Sequence, residues 1–130
     1  MIEPYSAQWL ALPVPYVRRV AEALGETVAD WWDDPFDPRD ATILLTGGDA
    51  MVWDEESGWR RGRFVAGRKG ERTVLDDVRY LGGGVLPEPR LVPGLLTGTR
   101  RGRPAYRSFR DLHDGFDARL AAYAGALAAV

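Results

Sequence analysis

Few residues in this 130-residue chain are of types that do covalent or metal chemistry: there is no Cys, one His and one Lys. Without Cys there is no disulfide framework, no thiolate nucleophile, no Cys-ligated zinc and no iron–sulfur cluster. His113 has no plausible nucleophile beside it. It reads as the boundary residue of a helix, with Asp117 four residues on as its ion partner. Carboxylates are more plentiful. Asp30, Asp33, Asp34, Asp37 and Asp40 put five acids into eleven residues. Hard cations want several carboxylates, but this is not EF-hand spacing, and Pro35 and Pro38 restrict closure. The segment therefore reads as a solvated acidic turn, and no metal site is assigned. Asp54, Glu55 and Glu56 would serve acid–base catalysis only if burial split their proton affinities. At an exposed hairpin tip they lack that burial. No catalytic residue and no cofactor are assigned, and the chain is not expected to be an enzyme. One acting through acids and backbone alone stays open.

Residues that make contacts are in surplus, with five Trp and sixteen Arg. Trp53-Asp54-Glu55-Glu56-Ser57-Gly58-Trp59-Arg60 has the pattern of a hairpin. If Glu55 lies opposite Trp59, Asp54 faces Arg60 and Trp53 faces Arg61. That gives a charge pair and a cation–π pair, about 0.5–1 kcal/mol each when exposed. Such pairs stabilise a hairpin tip without any ligand. The functional reading is an aromatic docking patch of Trp53, Trp59, Arg60 and Arg61 together with Trp31 and Trp32, since Trp and Arg dominate interface hot spots. Another reading is a small-ligand pocket lined by Trp31, Trp53 and Trp59. A third feature is Arg100-Arg101-Gly102-Arg103-Pro104, whose Arg-Gly-Arg-Pro resembles the core of AT-hook peptides. In those peptides the extended backbone lies in a narrow minor groove, which attracts Arg electrostatically. On this reading Arg100, Arg101 and Arg103 enter the groove, and Arg90, Arg107 and Arg110 touch phosphates.

The net charge of −2 hides an asymmetry. Residues 1–58 carry twelve acids and three Arg, whereas residues 59–130 carry seven acids and fourteen bases. The simplest account is internal pairing of acidic and basic segments within one fold; a bipolar surface is the alternative. No apolar run approaches the ~20 residues of a membrane span. The N-terminus lacks the basic and apolar regions of a signal peptide. A cytoplasmic location is expected.

The chain is expected to form one domain over residues 1–130. Residues 1–13 read as an arm, kept from stable helix by Pro4 and Pro13. Pro15 to Leu24 has helical spacing in Val17, Val20, Ala21 and Leu24, with Gly25 closing it. Strands are predicted over 28–32, 41–46, 50–54, 59–66 and 72–75, separated by turn residues. Gly82-Gly83-Gly84 reads as a tight turn that lets the next segment pack on the sheet, not as a phosphate loop. A short helix is predicted over 88–96, kinked or split at Pro93. Residues 97–103 form a basic linker. Tyr106, Phe109, Leu112, Phe116, Leu120, Tyr123 and Leu127 make one stripe, which predicts a C-terminal amphipathic helix over 104–130. The predicted core is Val17, Val20, Leu24, Ile43, Leu45, Val52, Phe64, Val74, Leu75, Leu112, Phe116 and Leu120.

Four segments resemble a domain family of unknown function found in actinomycetes: Pro15 to Leu24, Asp37 to Ile43, Val52 to Arg60 and Tyr80 to Pro87. The resemblance covers about residues 14–90. It implies a helix followed by a β-meander and a glycine turn, and it lends no catalytic residue. The arrangement is similar to secretion-chaperone-like folds, whose sheets dimerise. The expected fold is α+β: an antiparallel meander of three to five strands, covered on one face by the first and last helices. The expected function is a protein-interaction or regulatory domain with an unidentified protein partner and a plausible homodimer. The alternatives are a DNA-associated regulator and a small-ligand sensor.

Overall fold

Runs of β-branched and apolar residues between turn residues build five strands that pair in chain order. They are β1 (Val28–Asp34), β2 (Asp40–Leu45), β3 (Asp49–Asp54), β4 (Gly58–Arg68) and β5 (Glu71–Tyr80), each antiparallel to the next. Among the described residues four helices accompany them: α1 (Ala7–Leu10), α2 (Pro13–Leu24), α3 (Val92–Thr97) and α4 (Phe116–Ala128). The computed structural model describes residues 2–34, 38–98, 102–108 and 113–128. The fold is the expected α+β meander with an N-terminal and a C-terminal helix. No helix among the described residues is long and apolar enough to cross a membrane.

Strand alternation divides the sheet into two faces. Ala41, Ile43, Met51, Trp53 and Trp59 point toward the helices and join Tyr16, Val17, Val20, Leu24, Phe116 and Leu120 in one buried cluster. Pro13 sits in the first turn of α2, where its missing N–H costs nothing, and Gly25 closes the helix at φ +60°. A short 3-10 turn, Pro89–Leu91, leads into α3, so the predicted helix is split with Pro93 in the first turn of the second part.

Thr42, Val52 and the carboxylates of Asp34, Asp40 and Asp54 lie on the other face. The sequence leaves that face uncovered, but the structure covers it with the chain's own β4–β5 hairpin. Three register shifts along β4, between Arg61 and Arg63, Phe64 and Ala66, and Ala66 and Arg68, bend the hairpin back over the sheet. Gly62 makes the first bend, because a Cβ there would sit 2.5 Å from the Asp76 carbonyl oxygen. The hairpin then reaches β1 and β2. Thr73 Oγ1 lies 2.6 Å from Thr42 Oγ1, and the Gly70 N–H donates to Asp34 Oδ1 at 2.8 Å.

Two expected elements differ. The arm contains one helical turn, α1, whose first N–H groups are capped by Ser6 Oγ accepting from the Trp9 N–H. The C-terminal helix starts at Phe116 instead of 104. Residues 102–108 are irregular, because their backbone is used elsewhere. The N–H of Ala105 donates to Ser57 O, and that of Arg107 donates to Glu56 O. Tyr106, assigned to the apolar stripe, is 95% exposed. Gly115, at φ +80°, turns the chain into α4. Phe109, Asp111, Leu112 and the side chain of Leu127 lie outside the described residues. Of the predicted core, Val74 is exposed and Leu45, Phe64 and Leu75 are half-buried: Leu45 ends β2, and the other three lie on the β4–β5 hairpin, which no described helix covers.

Leu120 is fully buried, so Leu120→Ala lowers the unfolding free energy by about 2–5 kcal/mol. Tyr106→Ala changes it by less than about 0.5 kcal/mol. Urea unfolding checks both. Equal effects of the two substitutions would place the start of α4 wrongly.

Candidate functional site

The sequence-predicted contact residues are dispersed by the fold. Trp53 pairs with Trp59 across β3 and β4, with Arg60 opposite Val52 and Arg61 opposite Met51. The register expected from the turn is therefore displaced, because Asp54 opposes Gly58, which takes φ +80°. Trp53 and Trp59 are fully buried, at 0% and 1% exposure, so their indoles form no surface patch. Each buried indole N–H has a built-in acceptor. Trp53 Nε1 donates to Val85 O at 2.7 Å, and Trp59 Nε1 donates to Tyr16 Oη at 3.0 Å. The Tyr16 hydroxyl in turn donates to Pro87 O, and burial pushes its phenol above the ordinary range. Gly82, Gly83 and Gly84, all near φ +80°, turn the chain so that those carbonyls lie against the sheet.

Trp31 and Trp32 are half-buried on β1, facing opposite sides. Trp31 borders a shallow groove with Arg18, Glu22 and Val28, and Trp32 Nε1 donates to Asp34 Oδ2. Trp31, Trp53 and Trp59 therefore do not converge on a ligand pocket. Arg60 pairs with Asp54 at 2.7 Å, so the expected charge pair forms diagonally. Arg61 reaches Asp49 and the Leu96 carbonyl instead of stacking on Trp53. Arg103 is exposed, and Arg100 and Arg101 lie outside the described residues. Gly102 is docked: its N–H donates to Tyr80 O at 2.8 Å, and it lies tight against Leu81 and Gly82. A backbone that inserts into a DNA groove would first have to give up those contacts.

The densest polar constellation is one that sequence reasoning missed. Arg39, 1% exposed, forms a fork with Glu55: its Nε donates to Oε2 at 3.0 Å and its Nη2 to Oε1 at 3.0 Å. Its backbone N–H also donates to Glu55 Oε2, its Nη1 to Trp9 O and its Nη2 to Asp117 Oδ1. The guanidinium lies 3.7 Å from the centroid of the Trp9 ring, whose Nε1 donates to Asp117 Oδ2. Arg107 donates to Glu55 Oε1 at 3.2 Å, stacks on Phe116 at 3.9 Å and pairs with Asp114. The hydrogen bond from Arg107 holds the Asp114 carboxyl below the usual carboxylate range. Both Glu55 oxygens are thus saturated by donors, which suits a structural clamp and leaves no lone pair aimed at a substrate. The signal for it in the sequence is faint: an Arg after a proline and a Glu in a turn, sixteen residues apart.

A second polar row crosses the opposite face. Asp34 pairs with Asp40, and Asp40 with Asp54, as successive cross-strand partners. Asp34 receives the Gly70 N–H and Trp32 Nε1; Asp54 receives the Glu56 and Ser57 N–H groups and Arg60. Asp40 Oδ2 pairs with Arg72, while its buried Oδ1 has no hydrogen-bond partner. Among the described residues no group of three or more His, Cys, Asp or Glu is placed to hold a metal ion. Pro35 and Asp37 of the acidic turn lie outside those residues.

Glu55→Ala strands a buried guanidinium and is expected to cost about 3–5 kcal/mol in urea unfolding. Replacing the pair together, Arg39→Met with Glu55→Leu, costs less than the single change, because no unpaired charge remains. A Glu55→Ala loss below about 0.5 kcal/mol would remove the clamp from this account.

Comparison with known proteins adds one assignment. No curated protein and no solved structure matches the chain. A family profile described as "Family of unknown function (DUF6292)" matches residues 16–98. The match runs from α2 through all five strands and the glycine turn to α3, further than the expected boundary at 90. With well over half its length inside that match, the chain belongs to the DUF6292 family of unknown function.

Proposed function

We propose that this chain is a non-catalytic protein-interaction domain that pairs with a second copy of itself along β5. The observation that carries the reading is the location of its exposed apolar side chains. Six large hydrophobic residues stand exposed among the described residues, and three of them, Val65, Val74 and Val78, lie on the β4–β5 hairpin. β5 is also a terminal strand of the sheet. A terminal strand presents unpaired backbone groups, which proteins usually blunt with charge or cover. β5 carries such charges at Glu71, Arg72, Asp76, Asp77 and Arg79, yet Val74 near its middle stands 51% exposed, as does Val65 on the neighbouring strand. Pairing two β5 strands antiparallel about a two-fold axis at Val74 sets that residue against its own copy. The contact is self-complementary, because the same patch serves both copies. The ionisable groups favour the same reading from another side. Arg39, Glu55, Arg107 and Asp114 are tied to one another in the clamp, which gives each a structural role.

Light scattering on a sizing column tests this reading. The chain is expected to elute at twice its 14.4 kDa mass, and Val74→Glu, which puts like charges on the axis, is expected to elute as a folded monomer. A wild-type monomer throughout the micromolar range overturns self-association. A Val74→Glu dimer as tight as the wild type overturns β5 as its surface.

A further inference from the structure

We propose that Asp34, Asp40 and Asp54 form a proton-operated latch: a proton on Asp40 keeps the β4–β5 hairpin folded over the sheet, and its loss lets the hairpin lift. The three carboxyl groups stand side by side because their strands place them in register, with Asp40 in the middle. The outer two are satisfied by N–H donors. Asp40 is 5% exposed, and its Oδ1 is a buried oxygen with no donor. An ionised carboxylate there leaves that oxygen unsolvated between two like charges. A proton removes that charge and the repulsion with it.

The charged groups facing Asp40 come from every strand around it. Asp34 lies on β1 and Asp54 on β3. Arg60 on β4 is already paired with Asp54, and Arg72 on β5 is paired with Asp40 itself. At the hairpin turn Lys69 is taken by Asp33 and Arg68 by Glu71. Burial pushes the Asp40 carboxyl up to about 7, with Asp34 and Asp54 adding to the rise and Arg72 and Arg60 opposing it. The ordinary value is 3.8, so the closed hairpin keeps the proton where an opened one would release it. Closure is therefore strongest at acidic pH and weakens as pH climbs toward about 7, where the closed form also ionises. Among the described residues the hairpin is also tied to the sheet by Thr73 at Thr42, Lys69 at Asp33 and the Gly70 N–H at Asp34, with the Phe64 N–H donating to Gly48 O at its base. Much of the hairpin is exposed, which suits an element that opens locally. The latch shares the β4–β5 hairpin with the proposed self-association but acts through the buried Asp40 and not through the exposed Val74, so measuring it in the Val74→Glu chain separates the two.

The test is hydrogen exchange at protein dilution, read as protection factors for the amides of residues 69–74. Protection is expected to fall up to about tenfold per pH unit between roughly pH 5 and 7 and then to level off. Asp40→Asn, similar in shape and always neutral, is expected to show a flat profile. Wild-type protection that does not change with pH, or an Asn variant that follows the wild type, overturns the latch. A direct carbon-13 titration of the Asp40 carboxyl in the unmodified chain covers the case in which the variant does not fold. A midpoint near the ordinary 3.8 also overturns it, whereas one near 7 supports it.

Discussion

The buried fork between Arg39 and Glu55 is the constraint on which the rest of this structure depends. A guanidinium taken out of water is tolerated only when its donors are met and its charge is opposed. Meeting those donors here requires four distant pieces of chain: the arm through Trp9, the β1–β2 connection through Arg39, the β3–β4 turn through Glu55, and the C-terminal segment through Arg107 and Asp117. The two Arg side chains also stack on Trp9 and Phe116, so the polar clamp and the aromatic core are one object. Such a pair contributes more to arrangement than to net stability, because its desolvation offsets much of its attraction.

This clamp also explains why the chain extends beyond its family match. The matched residues 16–98 supply α2, the sheet and the glycine turn. Trp9, Phe116, Asp117 and Leu120 lie outside that range, yet three of these four are buried and the fourth bonds Arg39. Without them the helix-facing side of β3 would expose Trp53, on which Phe116 stacks at 6.3 Å between ring centroids. The arm and C-terminal segment are therefore working parts of the core.

The two faces of the sheet are closed by different physics. Apolar burial under helices closes the one that carries Ile43, Met51, Trp53 and Trp59. The other is closed by a bent hairpin held through hydroxyl, N–H and charge contacts over a row of aspartates. Hydrophobic packing is non-directional and insensitive to protonation, whereas a row of carboxyl groups is directional and titrates. The hairpin also carries half of the exposed large hydrophobic residues among those described. The proposed pairing surface and the proposed latch thus belong to one element.

Much of the architecture was legible in the residues. Period-two alternation and turn chemistry pointed to an antiparallel meander of three to five strands; the structure has five, with β5 over Glu71–Tyr80 where 72–75 was predicted. Pro15, Gly25 and helical spacing marked α2, which the structure starts two residues earlier at Pro13, and Pro93 marked the break before α3. Those signals are local, and local rules govern where a strand or a helix can begin. The start of α4 was misread because an apolar stripe says nothing about backbone groups that pair elsewhere, as those of Ala105 and Arg107 do with the β3–β4 turn. The Trp53–Trp59 register slipped for a related reason: a single glycine at positive φ sets which residues face each other across a turn. Composition alone determined that Cys chemistry is absent and that Arg and Trp would dominate the contacts. Tertiary structure alone decided that Arg39 meets Glu55 and that Asp40 stands between two other carboxylates, because charge and hydrogen-bond partnerships depend on distances across the fold, which no spacing along the chain encodes.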